Sequence, residues 1–193
     1  MAEHTTKQSV DALFKDANIS FRAMQENERG STNITKYGAL DPEWIEYHNS
    51  EGCGCAIFYL PNTTGGETFS DKDVYQFNAC FIDIDNGRLP SSFLLPPSCV
   101  CSRDDGKGHH VYWFIRSHTN AVQWKATQNH LIHYYQSDPT VKNPARLMRL
   151  PGTINRKPDE RAGQKYNIVE LSGVRYDLPV SYTHLTLPTI LLV

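Results

Sequence analysis

A chain of 193 residues with 39% hydrophobic content is sized for one domain with a sizeable core, and no apolar run in it approaches membrane-spanning length. The N-terminus, MAEHTTKQ, has no apolar signal-peptide region, and five cysteines, an odd number, argue for free thiols in a reducing compartment. A soluble, cytoplasmic protein with no membrane partner is expected; a net charge of −2 argues against a general polyanion coat.

In chain order, Ser9 is placed to cap a short helix with Val10, Leu13, Phe14 and Ala17 on one face. The polar stretch Gln25 to Thr35 reads as a loop. Asp41-Pro42 opens a helix in the preferred order of N-cap and first-turn proline, with Trp44, Ile45 and His48 following. Gly52 and Gly54 punctuate its end, CAIFYLP reads as a buried strand closed by Pro61, and Thr63 to Gly66 reads as a turn.

The stretch CFIDIDNG, residues 80–87, sets two aspartates inside an apolar run. Alternation along a strand puts Phe81, Asp83 and Asp85 on one face and Ile82 and Ile84 on the other. Two like charges roughly 7 Å apart on a half-buried face repel and resist desolvation. They call for a cationic partner, and oxygen ligands suit a hard cation such as Mg²⁺ or Mn²⁺. The alternative is a solvent-facing strand end before an Asn86-Gly87 hairpin turn.

After a Pro/Ser loop from Leu89 to Ser98, CVCS and HHVYWFI read as two strands joined by the turn RDDGKG. A turn with Gly106 and Gly108 lets backbone amides approach a phosphate, and His110 shares a strand face with Tyr112 and Phe114. Asn120 starts a helix whose stripe is Ala121, Trp124, Leu131, Ile132 and Tyr135. Asp138-Pro139 follows, then a second small helix from Asn143-Pro144 to Pro151-Gly152. On that helix Arg146 and Arg149, at i and i+3, would share a face and clamp phosphate bidentately. From Pro139 to Lys165 seven basic residues stand against Asp159 and Glu160, so this segment is +5 and the rest of the chain −7. That is the charge pattern of a placed anion site. YNIVEL is the final strand.

Paired aspartates, a glycine turn with histidine, then an aspartate followed by arginines: this order resembles the archaeo-eukaryotic primase superfamily, nearest to the RepB-like primase-polymerases of phages and plasmids. FIDIDNG matches the family's hydrophobic-Asp-x-Asp metal motif and SRDDGKGHHVYW its Ser/Gly-x-His motif; DPTVKNPARLMRLPGTINRK matches the segment of its third acid and basic residues. YHNSEGCGCAIFYLPNT looks like its N-terminal unit, and the resemblance covers roughly residues 35 to 172.

The resemblance implies an α/β fold, with an RNA-recognition-motif-like, mainly antiparallel catalytic sheet over about residues 71–178. A smaller N-terminal α/β unit over about residues 1–70 would pack beside it, with the active site between them. It implies template-directed nucleotidyl transfer with two Mg²⁺ or Mn²⁺ ions bound by Asp83, Asp85 and Asp138. His110, Arg146 and Arg149, with Ser102 and Lys107, would hold the nucleotide. The implied partners are a single-stranded DNA template, a primer, dNTPs or NTPs, and a downstream helicase domain, in a phage- or plasmid-encoded replication protein. Arg156 and Lys157 are further candidates for phosphate or template contacts. The C-terminal SYTHLTLPTILLV resembles translated sequencing-adapter read-through, so residues 179–193 are expected to be foreign and the natural chain truncated.

Three other chemistries compete. Cys53/Cys55 and Cys99/Cys101 could make a zinc site, but each pair lies on or beside a strand as buried thiols, which disfavours zinc. A rolling-circle nickase would want a His-hydrophobic-His strand pair, whereas His130 and His133 sit at helical spacing. A non-catalytic single-strand-binding module would need a basic groove with stacking aromatics but no carboxylate trio.

Overall fold

The computed structural model describes residues 5–14, 18–27, 30–85, 87–116, 119–157 and 159–178. Helix α1 (Thr6–Phe14) opens with a reciprocal cap, Thr5 Oγ1 accepting from Gln8 N and Gln8 Oε1 accepting from Thr5 N. The helix therefore begins before Ser9, which lies on its buried face with Val10, Leu13 and Phe14. Strands β1 (Ile19–Asn27) and β2 (Gly30–Gly38) then form a hairpin where a loop was expected. The polar sequence of β2 suits an outer strand, because it is paired on one side alone.

Helix α2 (Pro42–Asn49) is capped as expected, Asp41 Oδ1 accepting from Trp44 N at 3.0 Å. Strand β3 (Ala56–Tyr59) pairs with β1, and Thr63–Thr64 forms a short strand β4 against β5 (Val74–Gln76) in place of a simple turn. The aspartate strand β6 (Ala79–Ile84) leads through a long loop to β7 (Cys99–Arg103) and β8 (His109–Ile115). Helix α3 (Ala121–Tyr135) starts on an Asn120–Gln123 capping box, then a 3₁₀ turn (Pro139–Val141) follows. The chain closes with β9 (Met148–Arg149), β10 (Tyr166–Leu171) and β11 (Arg175–Tyr176).

The helix expected from Asn143 to Pro151 is absent: the segment turns at 143–145 and then runs into β9, which pairs antiparallel with β3, Phe58 opposite Arg149. Pairing with the free edge of β3 overrides the weak helical pattern. One sheet therefore runs β2-β1-β3-β9, adding a strand from beyond residue 140 to three from the first sixty residues. The second runs β10-β7-β8, with β6 on the other edge of β8 and β11 parallel to the end of β8. All other pairings are antiparallel, and one continuous apolar core joins the sheets and helices. Among the described residues no helix is long and apolar enough to cross a membrane. The expected foreign tail, residues 179–193, and Asn86 lie outside the described residues.

Candidate active site

Strand alternation places Phe81 and Asp83 opposite Tyr112 and His110 in the β6–β8 ladder, on the face that looks toward the first sheet. Phe81 and Tyr112 are buried in the core, whereas Asp83 and His110 reach the edge of a cleft between the sheets. His110 Nε2 stands 3.7 Å from Asp83 Oδ1. Asp85 follows one residue beyond the end of β6 on the same cleft wall. Asp138 is brought alongside by its own backbone, its N–H donating to the Asp83 carbonyl at 3.0 Å. The cleft encloses about 440 Å³, and Arg146 and Arg149 complete its lining around these carboxylates.

Charge is concentrated here to a degree that shifts titration. Burial, then repulsion from Asp85 and Asp138, pushes the Asp83 carboxyl up to about 7. Burial and the field of neighbouring basic groups, Arg149 foremost, push His110 down to about 3. His110 is therefore a neutral imidazole at physiological pH, able to donate or accept a hydrogen bond but not to lend a charge. Its ring is held by Tyr166 of β10, stacked at 4.2 Å and 17°. Burial, then the Asp83 charge, raises the Tyr166 phenol to about 12.

The basic wall comes from the extended segment that replaces the expected helix. Arg149 sits in β9 with its guanidinium 4.8 Å above the Phe58 ring, and Arg146 Nη2 donates to Thr140 Oγ1 at 3.2 Å. Arg146 and Arg149 thus reach the same cleft from a loop and a strand, not from one helix face. Lys157 lines the cleft as well, whereas Arg156 donates to the Asn49 carbonyl on another face.

Ser102 and Lys107 do not line the cleft. Ser102 lies across the β7–β8 ladder from His109 and shares a 2.8 Å hydrogen bond with its Nδ1. Lys107 belongs to the turn, its carbonyl accepting from Gly87 N. Between them in the chain is Arg103, which does line the cleft. It is buried, bonded bidentately to Asp105 at 2.9 Å and 2.9 Å, and 3.8 Å from Asp85. The acidic pair in the turn is thereby explained: Asp105 holds Arg103, and Asp104 accepts from Lys165 N and Asn167 Nδ2. Arg161, from the basic segment, and Tyr166, which no motif marked, line the cleft too; the β10–β7 register sets Tyr166 opposite Arg103. An arginine ending a strand beside the glycine turn was the available signal for Arg103. Gly108 matters for packing: a Cβ there would lie 2.7 Å from Tyr166 Oη and 2.9 Å from Arg103 Nη1.

The donor set suits a hard divalent cation. Three carboxylates line one cleft, and the buried Asp83 Oδ1 has no hydrogen-bond partner. The set is not pre-assembled. Asp138 turns its oxygens to Thr140, accepting from N at 2.8 Å and Oγ1 at 2.6 Å, and no group of three or more His, Cys, Asp or Glu is clustered tightly enough for a metal among the described residues. The five cysteines are free, with Cys99 and Cys101 Sγ 3.8 Å apart inside the core.

No protein-family model matches this chain, and no curated protein matches it in sequence. Its fold is similar to the primase-polymerase (PrimPol) AEP domain of cyanophage S-2L, with a TM-score of 0.66 and 24% identity over 88% of this chain and 90% of that one. It is also similar to primase RepB′, with a TM-score of 0.61 and 15% identity over 89% of this chain and 58% of the other. The catalytic domain of RepB′ in complex with initiator DNA gives a TM-score of 0.58 and 15% identity, covering 89% and 88%. These likenesses, together with two mainly antiparallel sheets facing each other across a cleft, give this chain the archaeo-eukaryotic primase fold.

Proposed function

We propose that this chain catalyses template-directed nucleotidyl transfer, as the catalytic domain of a DNA primase-polymerase in phage or plasmid replication. The observation that supports it most is the joining of three carboxylates and a basic wall in one cleft. A single-strand-binding groove has no use for the carboxylates, which repel the phosphates it must hold. One solved structure of the same fold, the RepB′ catalytic domain, holds initiator DNA, which makes a DNA template the natural partner here.

Two Mg²⁺ or Mn²⁺ ions held by Asp83, Asp85 and Asp138 would activate the primer 3′ hydroxyl and neutralise the triphosphate. Asp83, buried and repelled by its neighbours, gains most from a cation and gives up its proton to accept one. His110, kept neutral and fixed by Tyr166, donates a ring N–H to a phosphate oxygen. Arg146 and Arg149 meet the β- and γ-phosphates, where their charge counters that developing on pyrophosphate. Arg103 sets the orientation of the Asp85 side of the site while Asp105 keeps it from closing on that carboxylate. Ser102 and Lys107 are left to support the turn. Primer extension on a DNA template, with Asp83→Ala as control, tests the reading. Template binding without extension would favour the single-strand-binding module, and cleavage of the template would favour a nickase.

A further inference from the structure

The strand that carries Asp83 has an open edge. β6 pairs with β8 on one side, and no strand covers its other side among the described residues. Its outward groups are met instead by α3, where Trp124 and Gln128 stand four residues apart on the face toward β6. Trp124 Nε1 donates to the Ala79 carbonyl at 2.7 Å. Two residues further along, Gln128 Oε1 accepts from Phe81 N at 3.0 Å and its Nε2 donates to the Phe81 carbonyl at 2.6 Å. The amide of Gln128 thus pairs with Phe81 as a neighbouring strand would. Two residues further again, the Asp83 carbonyl accepts from Asp138 N.

Gln128 also reaches the other end of the carboxylate set. Its second Nε2 hydrogen donates to the Val141 carbonyl at 2.7 Å, in the 3₁₀ turn that Asp138 caps. One fully buried amide, with one acceptor and both donors engaged, therefore joins the aspartate strand, the helix and the Asp138 turn. No substitute satisfies all three groups, since they are fixed backbone in a dry interior.

We propose that Gln128 is the positioning residue of the candidate active site, setting the separation of Asp83 from Asp138 and hence the affinity for divalent cation. The inference rests on the proposed function for its metal and on the hydrogen bonds alone for its geometry. Two readouts on the whole chain separate these. Amide hydrogen exchange reports the Asp138 N–H bond to Asp83, and Mn²⁺ titration followed by electron paramagnetic resonance reports cation binding without turnover. Gln128→Met should lower protection of the Asp138 amide and weaken Mn²⁺ binding, each about tenfold. Gln128→Glu, which keeps the side-chain shape and the acceptor for Phe81 N but loses at least one donor, should move both in the same direction, and circular dichroism of each variant establishes that it is folded. Trp124→Phe, which removes the bond at Ala79 remote from the carboxylates, should leave both near wild type even where it lowers thermal stability. Unchanged Asp138 protection or unchanged Mn²⁺ affinity in the Gln128 variants, or equal losses in Trp124→Phe, would overturn the inference. Mn²⁺ binding by the wild type that is indifferent to Asp83→Asn would overturn the proposed metal site instead, leaving the exchange result to stand by itself.

Discussion

Asp83 Oδ1 lies 3.7 Å from His110 Nε2 across the β6–β8 ladder, yet the two groups do not form an ion pair, because burial drives both toward neutrality. The carboxyl is raised by burial and by Asp85 and Asp138, and the imidazole is lowered by burial and the surrounding arginines. A cation arriving at the carboxylates reverses the first of these and leaves the second in force.

The Asp83 shift has a stability signature in metal-free protein. A carboxyl raised in the folded state stabilises the fold fully below its ordinary value, 3.8, and that contribution is lost as pH climbs through about 7. Asp83→Asn carries no titrating group at this position. In chelator, thermal unfolding of wild type and variant should coincide near pH 4, and the variant should outlast wild type at pH 8. Adding Mg²⁺ at pH 8 should stabilise wild type alone. A gap between the two proteins that is flat with pH would mean that Asp83 is neither desolvated nor repelled.

His110 is expected to stay neutral from pH 5 to pH 8, since its folded-state value is pushed down to about 3. Its stability contribution runs opposite to that of Asp83, present above the ordinary histidine value and lost as pH falls toward about 3. Imidazole resonances of uniformly labelled protein, assigned with His110→Gln, should show one histidine that does not titrate across this range. A His110 midpoint near 6.5 would contradict the account.

Gly108 and Gly106 should respond differently to alanine. At Gly108 the added Cβ meets Tyr166 Oη and Arg103 Nη1, both held, one by stacking on His110 and the other by its bidentate bond to Asp105. Gly108→Ala should cost about 1–3 kcal/mol by overpacking and disturb the His110 stack, lowering nucleotide affinity as well. Gly106 has a φ of +67° and nothing within 4 Å of such a Cβ, so Gly106→Ala should cost only backbone strain of about 1 kcal/mol. Thermal unfolding and nucleotide titration of the two variants measure the contrast.

Arg149→Ala should raise the nucleotide Michaelis constant about tenfold or more, the equivalent of about 1.5–3 kcal/mol for a lost charge-assisted hydrogen bond, with Arg146→Ala similar. Template affinity should change little. Phe58→Leu, which removes the ring under the Arg149 guanidinium, should move nucleotide affinity in the same direction by less. Intact nucleotide affinity with a reduced salt dependence of template binding would make these arginines backbone contacts.

Much of this molecule is legible in its residues, and the failures have physical causes. Helices α2 and α3 announce themselves by side-chain caps, Asp41 and Asn120, which are local chemistry. The aspartate and histidine strands are apolar runs, the first interrupted at period two by Asp83 and Asp85 and the second opened by His109 and His110. The hairpin partner β2 was missed because an outer strand tolerates the polar composition of a loop. The segment around Arg146 and Arg149 was misread as a helix because its fate is decided by β3, some ninety residues away, which no local pattern reports. Tyr166 and Gln128 escaped for the same reason, whereas Arg103 carried a local signal in its place at the strand end beside the glycine turn. Each of the first two acts through strand register or a long-range backbone bond, and register is invisible until strands are paired.

Primer extension by Asp83→Asn decides whether Asp83 is a cation ligand in a nucleotidyl-transfer site. With Mg²⁺ or Mn²⁺ present, the variant should lose extension by at least about a hundredfold while binding the primed template with near wild-type affinity, because a cation ligand is lost and no phosphate contact is. Extension retained at more than a few per cent of wild type, in protein shown to be folded, would contradict that role.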